Sequence, residues 1–445
     1  MLARPGPRGI IARGSGRSYG DPAQNAGGTV ARTAGLSRIH CTNIDAGTVT
    51  VDAGLRLDVL LHRLLLLGLF LPVVPGTGHV TVGGAIAADV HGKNHPAAGS
   101  FGDHIVQMTV QTPVGEFILT PETQPEVFWA TVGGMGLTGI ITQATLRTES
   151  VPTRWLYQRT QRCSDLDQLL ACWENTDEVL PHQVAWIDGM ARGANLGRSL
   201  LSRGAWAHPE HHATFLRNRP RLPRHREPLP APPRICSFLL NTATVRGYNH
   251  YRYRTATAQG VVSPWSFFHP LDSVTDWNRL YGLRGLVQYQ FSVPHGQESA
   301  RLLVRIMEAF QRAGCLPFLA VLKRFGPSSH PYLSFPRPGW TLALDFPAGT
   351  PGLAALLDRL DHTVLEAGGR LYLAKDSRSC PDVLAQMYPD LAKWRQVRST
   401  VDPASVLDSD QARRLRSTVE WGSRGFGEAS MQVRRLRLVR KPRNS

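Results

Sequence analysis

Arg13-Gly14-Ser15-Gly16-Arg17-Ser18-Tyr19-Gly20-Asp21 decides how this chain is read. Gly14, Gly16 and Gly20 let the backbone take positive φ and approach a ligand closely. Consecutive N–H groups of such a loop can converge on a pyrophosphate. One loop of this kind is also what a tight surface turn looks like. A second follows, Pro75-Gly76-Thr77-Gly78-His79-Val80-Thr81-Val82-Gly83-Gly84. Then come His91-Gly92-Lys93-Asn94-His95 and Gly133-Gly134-Met135-Gly136-Leu137-Thr138-Gly139-Ile140-Ile141. Four such segments in this order are not explained by turns.

Composition bounds the alternatives. A chain of 445 residues has room for two or three domains, and 42% hydrophobic with 19% charged residues allows a full core. Lys and Arg number 50 against 34 Asp and Glu, a net charge of +16. A solvated Arg-rich surface accounts for this, as does attraction to anionic headgroups or a phosphorylated substrate. Nucleic acid is not expected as a partner, since there is no zinc-finger spacing, basic helix with periodic aromatics or RNA-binding sheet motif. Cysteines 41, 163, 172, 236, 315 and 380 form no CxxC pair and are too sparse for a disulfide framework. No metal site is expected. The first six residues contain no apolar leader. The run Leu64-Leu65-Leu66-Leu67-Gly68-Leu69-Phe70-Leu71, closed by Pro72 and Pro75, falls well short of the ~20 residues that span a bilayer. The expected location is cytoplasmic, or peripheral at the plasma membrane.

Along the chain, Thr48–Asp52 reads as a strand, 55–67 as a helix and 69–74 as a second strand. Residues 105–111 and 116–119 alternate and meet at Pro113-Val114-Gly115, a hairpin signal. Residues 124–131 look helical, and 140–147 form another strand. Short strands alternating with helices suit an α+β domain. Residues 214–234 break the pattern, with six Pro and six Arg between Arg217 and Arg234. That stretch is expected to hold no regular structure and to form a mobile loop, either a linker or a lid. Gln288 to Val293 alternates as a strand with one wet face does. The strand pattern continues at 318–325 and 340–346, and 300–313 and 352–367 look helical.

The order of these motifs resembles the flavin-binding domain of the vanillyl-alcohol-oxidase/PCMH superfamily. Within it, Arg17-Ser18-Tyr19-Gly20-Asp21, His91-Gly92-Lys93-Asn94-His95 and Ala374-Lys375-Asp376-Ser377-Arg378 resemble the decaprenylphosphoryl-β-D-ribose 2′-oxidases. These are the flavin half of the epimerase that makes the arabinose donor of the actinobacterial cell wall. The resemblance covers roughly residues 9–415. It implies an α+β fold with a two-part PCMH-type FAD-binding domain and a substrate-binding cap on an antiparallel sheet. The expected division is 1–153 for the FAD-binding domain, 154–369 for the cap with its loop 214–234, 370–418 for the return to the FAD-binding domain, and 419–445 for a basic tail.

By the same resemblance FAD is held by Ala12, Arg13, Gly14, Ser15, Gly16, Arg17, Ser18, Tyr19, Gly20, Asp21 and Pro22. Backbone amides of residues 12–22 and 81–84 would take the pyrophosphate and ribityl chain. Gly76, Thr81, Val82, Gly83 and Gly84 belong to the same set. So do Ala88, Asp89, Val90, His91, Ile141 and Tyr372. Covalent members often carry His where Arg17 stands, so the FAD is expected to be non-covalent. Flavin oxidation of a secondary alcohol needs a path for the hydride and a group that takes the hydroxyl proton. Lys375 is expected in the catalytic position, where a cation would also stabilise reduced flavin. His91, Lys93, Trp186, Gln288, Gln290 and Lys323 are expected to meet the substrate, the lysines as compact charges for phosphate and the glutamines from one face of a strand.

The chain departs from the family pattern in places. Phe268 stands where members can place Tyr, and Ala343 where mycobacterial members carry Cys, so thiol-directed inhibitors should find no target there. Only about ten residues precede the first loop, where the family usually has a strand–helix unit, so the N-terminus reads as incomplete. Arg434, Arg435, Arg437, Arg440, Lys441 and Arg443 lie in the tail without an acid among them and are expected to assist docking to an anionic membrane. The expected reaction oxidises the 2′-hydroxyl of a polyprenyl-phosphoryl ribose to the ketone, and the resemblance implies a separate NADH-dependent short-chain reductase as partner. Two other readings stay open from the residues: a same-fold oxidase of a soluble aldonolactone or alditol, and a non-catalytic basic flavoprotein.

Overall fold

The loop that opens the sequence argument is a crossover. It joins β1 (Ile10–Arg13) to β2 (Thr29–Arg32), which pair in parallel, and parallel neighbours cannot be joined by a tight turn. The computed structural model describes residues 6–174, 180–217, 229–230, 240–328 and 332–418. β3 (Ile39–Asn43), β4 (Thr48–Asp52), β6 (Ile105–Thr112), β7 (Gly115–Leu119) and β8 (Ile140–Arg147) make an antiparallel sheet in the order β3-β4-β8-β6-β7. The helix Leu57–Leu66 covers this body through Leu57, Leu60, Leu61, Leu64 and Leu65, the stripe that a 3.6-residue period requires. The second expected strand ends early. Only Leu69–Phe70 (β5) pairs, with Glu149–Ser150 (β9), while Leu71, Val73 and Val74 are buried outside any strand. Pro72 has no N–H to donate to a ladder.

The cap is one antiparallel sheet of eight strands. It contains β10 (Leu156–Cys163), β11 (His182–Ile187), β12 (Ser199–Trp206), β14 (Gln259–Val262), β16 (Leu286–Val293), β17 (Leu319–Phe325), β18 (Gly339–Pro347) and β19 (Arg370–Leu371), in the order β14-β10-β12-β11-β17-β18-β16-β19. One face is apolar. Tyr289, Phe291, Leu342, Leu344 and Phe346 belong to a core shared with the helices Gln297–Arg312 and Leu353–Glu366. The other face follows from the register. Gln288 lies opposite Asp345 and Asp345 opposite Leu319; Gln290 opposite Ala343, then Val321, then Trp186; Ser292 opposite Thr341, then Lys323. Directly paired residues project to the same side.

Two expectations are corrected here. The polar side of β16 is not wet. Gln290 and Ser292 are buried, because that side faces the first body of the molecule rather than solvent. Within 214–234, Pro209–Leu216 is helical at its start and Leu229–Pro230 (β13) pairs in parallel with Val274–Thr275 (β15), so the stretch is not devoid of regular structure. Pro230 is compatible with so short a pair because a two-residue edge needs few donors. Residues 218–228 and the tail 419–445 lie outside the described residues.

The C-terminal segment closes the structure by returning to β1. Ile10 N donates to Val406 O (2.8 Å), and Asp408 N donates to Ile10 O (3.0 Å). The turn that presents these groups is held by Arg398, whose guanidinium donates to Leu137 O (3.0 Å), Leu407 O (2.8 Å) and Asp402 Oδ2 (2.8 Å). The two side chains are 4% and 0% exposed. Asp402 also accepts from the amides of Val406 and Leu407. Asp402→Ala would leave a buried guanidinium unpaired, which costs about 3–5 kcal/mol. Denaturant titration of the variant should show a loss of that size, and a loss below about 1 kcal/mol would show that the ion pair does not hold this closure.

Candidate active site

The first loop is shaped to receive an anion. Gly16 has φ +63°, and the amides of Gly14, Ser15, Gly16, Arg17 and Ser18 have no acceptor among the described residues. Successive free N–H groups around a left-handed residue form a concave nest. The loop is fixed at its far end. Tyr19 N donates to Ala374 O (3.1 Å), and Arg414 donates to both carboxylate oxygens of Asp21 (2.6 and 3.1 Å). Gly14 runs against the Thr81 side chain, and a Cβ on Gly20 would stand 1.7 Å from Asp376 O. These two glycines are therefore required by close chain crossings, independently of any ligand. Gly76 is exposed beside the crossing, while Ala12 and Arg13 close the β1 ladder. Pro22 is buried below it.

The second Gly-rich segment does a different job from the one expected. The amide of Val82 donates to Leu55 O (2.9 Å), that of Gly83 to Ala53 O (2.7 Å) and that of Gly84 to Thr81 Oγ1 (3.2 Å). These amides are already engaged, because the short helix Val82–Ala87 is pressed against the 53–55 turn, whereas those of residues 14–18 have no acceptor among the described residues. The Asp89 side chain is engaged likewise. Its carboxylate accepts from Ser100 Oγ (2.7 Å), Gly102 N (3.0 Å) and Ser334 Oγ, and it braces the two bodies together rather than presenting a free group. Val90 and Ile141 pack in the core of the first body. Ala88 O accepts from Tyr372 OH (2.8 Å), and Tyr372 stacks on Phe335 at 4.5 Å.

The polar face of the cap sheet and the segment Tyr372–Arg378 meet this loop. Lys375 Nζ lies 3.8 Å from the centre of the Tyr19 ring. Lys375, Lys323 and Lys93 are each half-buried, and their charges act on one another in sequence, Lys375 on Lys323 and Lys323 on Lys93. Burial and the neighbouring Lys375 charge push Lys323 down to about 7. Burial, Lys323 and Arg252 do the same to Lys93, also to about 7. Burial lowers Lys375 as well, against the opposing pull of the Asp345 carboxylate. Lys93 Nζ donates to Phe267 O and sits 4.5 Å from that ring.

His91 is fully enclosed between Phe325, Phe335 and Tyr372. Burial first, then the charge of Lys323, keep its imidazole neutral. Its Nε2 shares a 3.2 Å contact with Gln290 Nε2, and its Nδ1 has no hydrogen-bond partner among the described residues. Gln290 also donates to Thr341 Oγ1 (3.2 Å). Trp186 shares the polar face, with the Arg252 guanidinium 4.9 Å from its ring. Gln288 is turned to Asp345, donating from Nε2 to Oδ1.

Asp345 was not among the residues picked out from the sequence. Yet the alternation Thr341-Leu342-Ala343-Leu344-Asp345-Phe346 puts Thr341, Ala343 and Asp345 on one face, and that signal was available. His182 and His269 were also missed. Both are buried beside Lys93, whose charge adds to burial in lowering each to about 3. No local pattern marks them. Phe268 is a core residue, stacked at 5.4 Å on Phe70.

A two-part fold with an anion nest facing the polar side of a cap sheet defines an FAD-dependent oxidoreductase. Residues 3–121 match the family described as "FAD binding domain", and FAD is the cofactor. BBE-like 1 of Physcomitrella patens, 16% identical, superposes over 90% of this chain and 85% of its own with a TM-score of 0.62, which shows the fold. More specifically, the chain belongs to the decaprenylphosphoryl-β-D-ribose oxidase family. It is 43% identical over 420 residues to decaprenylphosphoryl-β-D-ribose oxidase of Mycolicibacterium smegmatis, covering 93% of this chain and 90% of that one. It is also 40% identical over 370 residues to an uncharacterized protein of Streptomyces coelicolor, covering 80% of this chain and 100% of that one. Gly20→Ala should separate the loop from the Asp376 segment. The purified variant is expected to retain substoichiometric FAD and to melt lower, whereas full FAD content with an unchanged Tm would show that the crossing tolerates a methyl group.

Proposed function

We propose that this protein oxidises the 2′-hydroxyl of a polyprenyl-phosphoryl ribose to the ketone. What supports this most is a set of three half-buried lysines whose charges act on one another. Lys93 is acted on by Lys323 and Arg252, both positive, and Lys323 by Lys375. An uncharged lactone or alditol would leave that repulsion unrelieved, whereas a phosphodiester relieves it. FAD, when bound, supplies the two-electron acceptor for the hydrogen on the carbinol carbon. Its attachment is non-covalent in this reading, since Arg17 stands where a covalently linked member would carry His.

The chain's own residues supply the rest. Lys375 takes the hydroxyl proton, a role made accessible near neutral pH by the burial that lowers it. Neutral His91 offers its unpartnered Nδ1 to the sugar, and Gln290 holds the opposite ring nitrogen. Lys93 and Lys323 take the phosphate, with Trp186 beside them under Arg252. The ketone product then calls for a separate NADH-dependent reductase that returns it with inversion.

Anaerobic flavin bleaching should occur with polyprenyl-phosphoryl ribose and not with free aldonolactones. The reverse preference would assign the cavity to a soluble sugar. Lys375→Ala should keep FAD and slow bleaching on the order of 10²–10⁴-fold. Loss of a charged contact is worth roughly 1.5–3 kcal/mol, so Lys93→Ala and Lys323→Ala should each raise KM about 10–100-fold with little change in kcat. Because both amines have folded-state values near 7, anion binding above that pH must take up protons. Substrate affinity should therefore fall as pH rises from 7 to 9, by up to about tenfold per unit for each lysine. A flat profile would exclude these two as the phosphate ligands.

Among the described residues no helix is long and apolar enough to cross a membrane. A substrate with a polyprenyl chain remains in a bilayer, so we place the enzyme peripherally on an anionic surface through the basic tail 419–445. Each basic residue there contributes roughly 1 kcal/mol at low salt. The cut that tests this belongs after Thr418, because Arg395 donates to the carbonyls of Arg416 and Ser417. The truncated protein should sediment less with anionic liposomes while bleaching normally with a short-chain analogue. Equal sedimentation would remove the tail as an anchor.

A further inference from the structure

Asp345 is 1% exposed, and one of its carboxylate oxygens has no hydrogen-bond partner among the described residues. The other oxygen accepts from Gln288 Nε2. Burying a carboxylate with one donor is unfavourable unless a cation compensates it. The sheet itself does not ask for it. The ladder bonds of β18 are made by the backbone, and the other residues on this face of the strand are Thr341 and Ala343. A small neutral side chain would serve the fold equally well.

The cation whose charge acts on it is Lys375, which lines the same cavity as Gln288 but makes no ion pair with Asp345 within 4.0 Å. The groups facing this pair come from every surrounding element. Tyr19 and Arg17 approach from the first loop, Lys323 from β17, His91 from the first body, Asp272 from the turn Pro270–Ser273 and Tyr281 from the turn Trp277–Tyr281. The two lysines would repel each other and drive Lys375 away from the cavity. Tyr19 offers a ring face but no full charge. Of the two carboxylates, Asp272 accepts from Thr77 Oγ1 and Gly78 N (2.7 Å each), which leaves Asp345, raised by burial to about 6 and so mostly ionised at neutral pH.

We propose that Asp345 is the positioning residue for Lys375: its carboxylate, oriented by Gln288, fixes the Lys375 amine over the Tyr19 ring and keeps that amine protonated in the resting enzyme. This rests on the reading of Lys375 as the group that takes the substrate's hydroxyl proton. The bond change is a simple exchange. The ammonium gives its proton to solvent, the free amine then accepts the hydroxyl proton, and the carboxylate holds the ammonium so formed.

The test is the pH dependence of anaerobic flavin bleaching by saturating substrate in the wild type, Asp345→Asn, Asp345→Ser, Asp345→Glu and Lys375→Met. In the wild type the rate should rise with pH as Lys375 loses its proton. Removing a nearby opposite charge lowers an amine by about 1–3 units, so the rising limb should move to lower pH by up to that amount in both neutral variants. Their maximal rate should be lower, because a less basic amine is a weaker acceptor. Asp345→Glu should restore most of the limb, which a packing role would not require. A limb that stays in place in the neutral variants overturns the inference. So does loss of FAD from both, which would make Asp345 a structural residue. If Lys375→Met still shows the wild-type limb, the reading of Lys375 fails instead, and the two failures are told apart.

Discussion

The charges of three half-buried lysines bear on one another, and their mutual repulsion has to be contained by the structure around them. Lys323 lies between Lys375 and Lys93, and the charges that bear on it and on Lys93 are positive. The protein tolerates this because two of the amines, Lys93 and Lys375, rest on something other than an equal counter-charge. Lys93 has a backbone carbonyl and the Phe267 ring, Lys375 the Tyr19 ring and a single carboxylate. Cation–π contacts and carbonyls stabilise an ammonium without neutralising it. The cavity therefore keeps a net affinity for an anion, which full ion pairing would have cancelled.

That arrangement needs a sheet buried on both faces for different reasons. One face of the cap packs against the helices Gln297–Arg312 and Leu353–Glu366 as an ordinary apolar core. The other carries Gln288, Gln290, Thr341, Lys323 and Asp345, and it is buried because the first body lies across it. Asp89 and Ser334 connect the two sides, as does Tyr372 through Ala88 O. Rigid elements on both sides hold the polar side chains at fixed positions, which is what proton transfer requires.

Much of this was legible in the sequence, though for mixed reasons. Period-two alternation found β16, β17 and β18 and put Gln288 and Gln290 on one side. It could not say that the side faces protein instead of water, since alternation records polarity and not what lies opposite. The glycines of the first loop pointed to an anion, and the amides of residues 14–18 have no acceptor among the described residues. The glycines at 83 and 84 pointed to the same thing, yet their amides are engaged by Ala53 O and Thr81 Oγ1. A glycine in sequence reports only that the chain passes close to something. Whether that is a cofactor or another strand is decided by contacts far away along the chain.

Asp345 shows where local reading stops. In the sequence it is one acid in an apolar strand, in phase with Thr341 and Ala343. Its partners are Gln288, 57 residues earlier, and the Lys375 amine on a separate segment. A lone acid in a strand is expected at the surface, because burial alone disfavours its charge. Its meaning emerges only when β16 and β18 pair in a register that puts Gln288 opposite it and the 372–378 segment folds back over both. The pairing of β17 with β18 sets Lys323 on the rung of Thr341 and Ser292, so the registers of β18 place both Lys323 and the carboxylate. A slip of one residue in β18 would turn Asp345 into the helical core and bring Leu344 into the cavity. The pairing of these two strands is therefore the step in folding on which the chemistry depends.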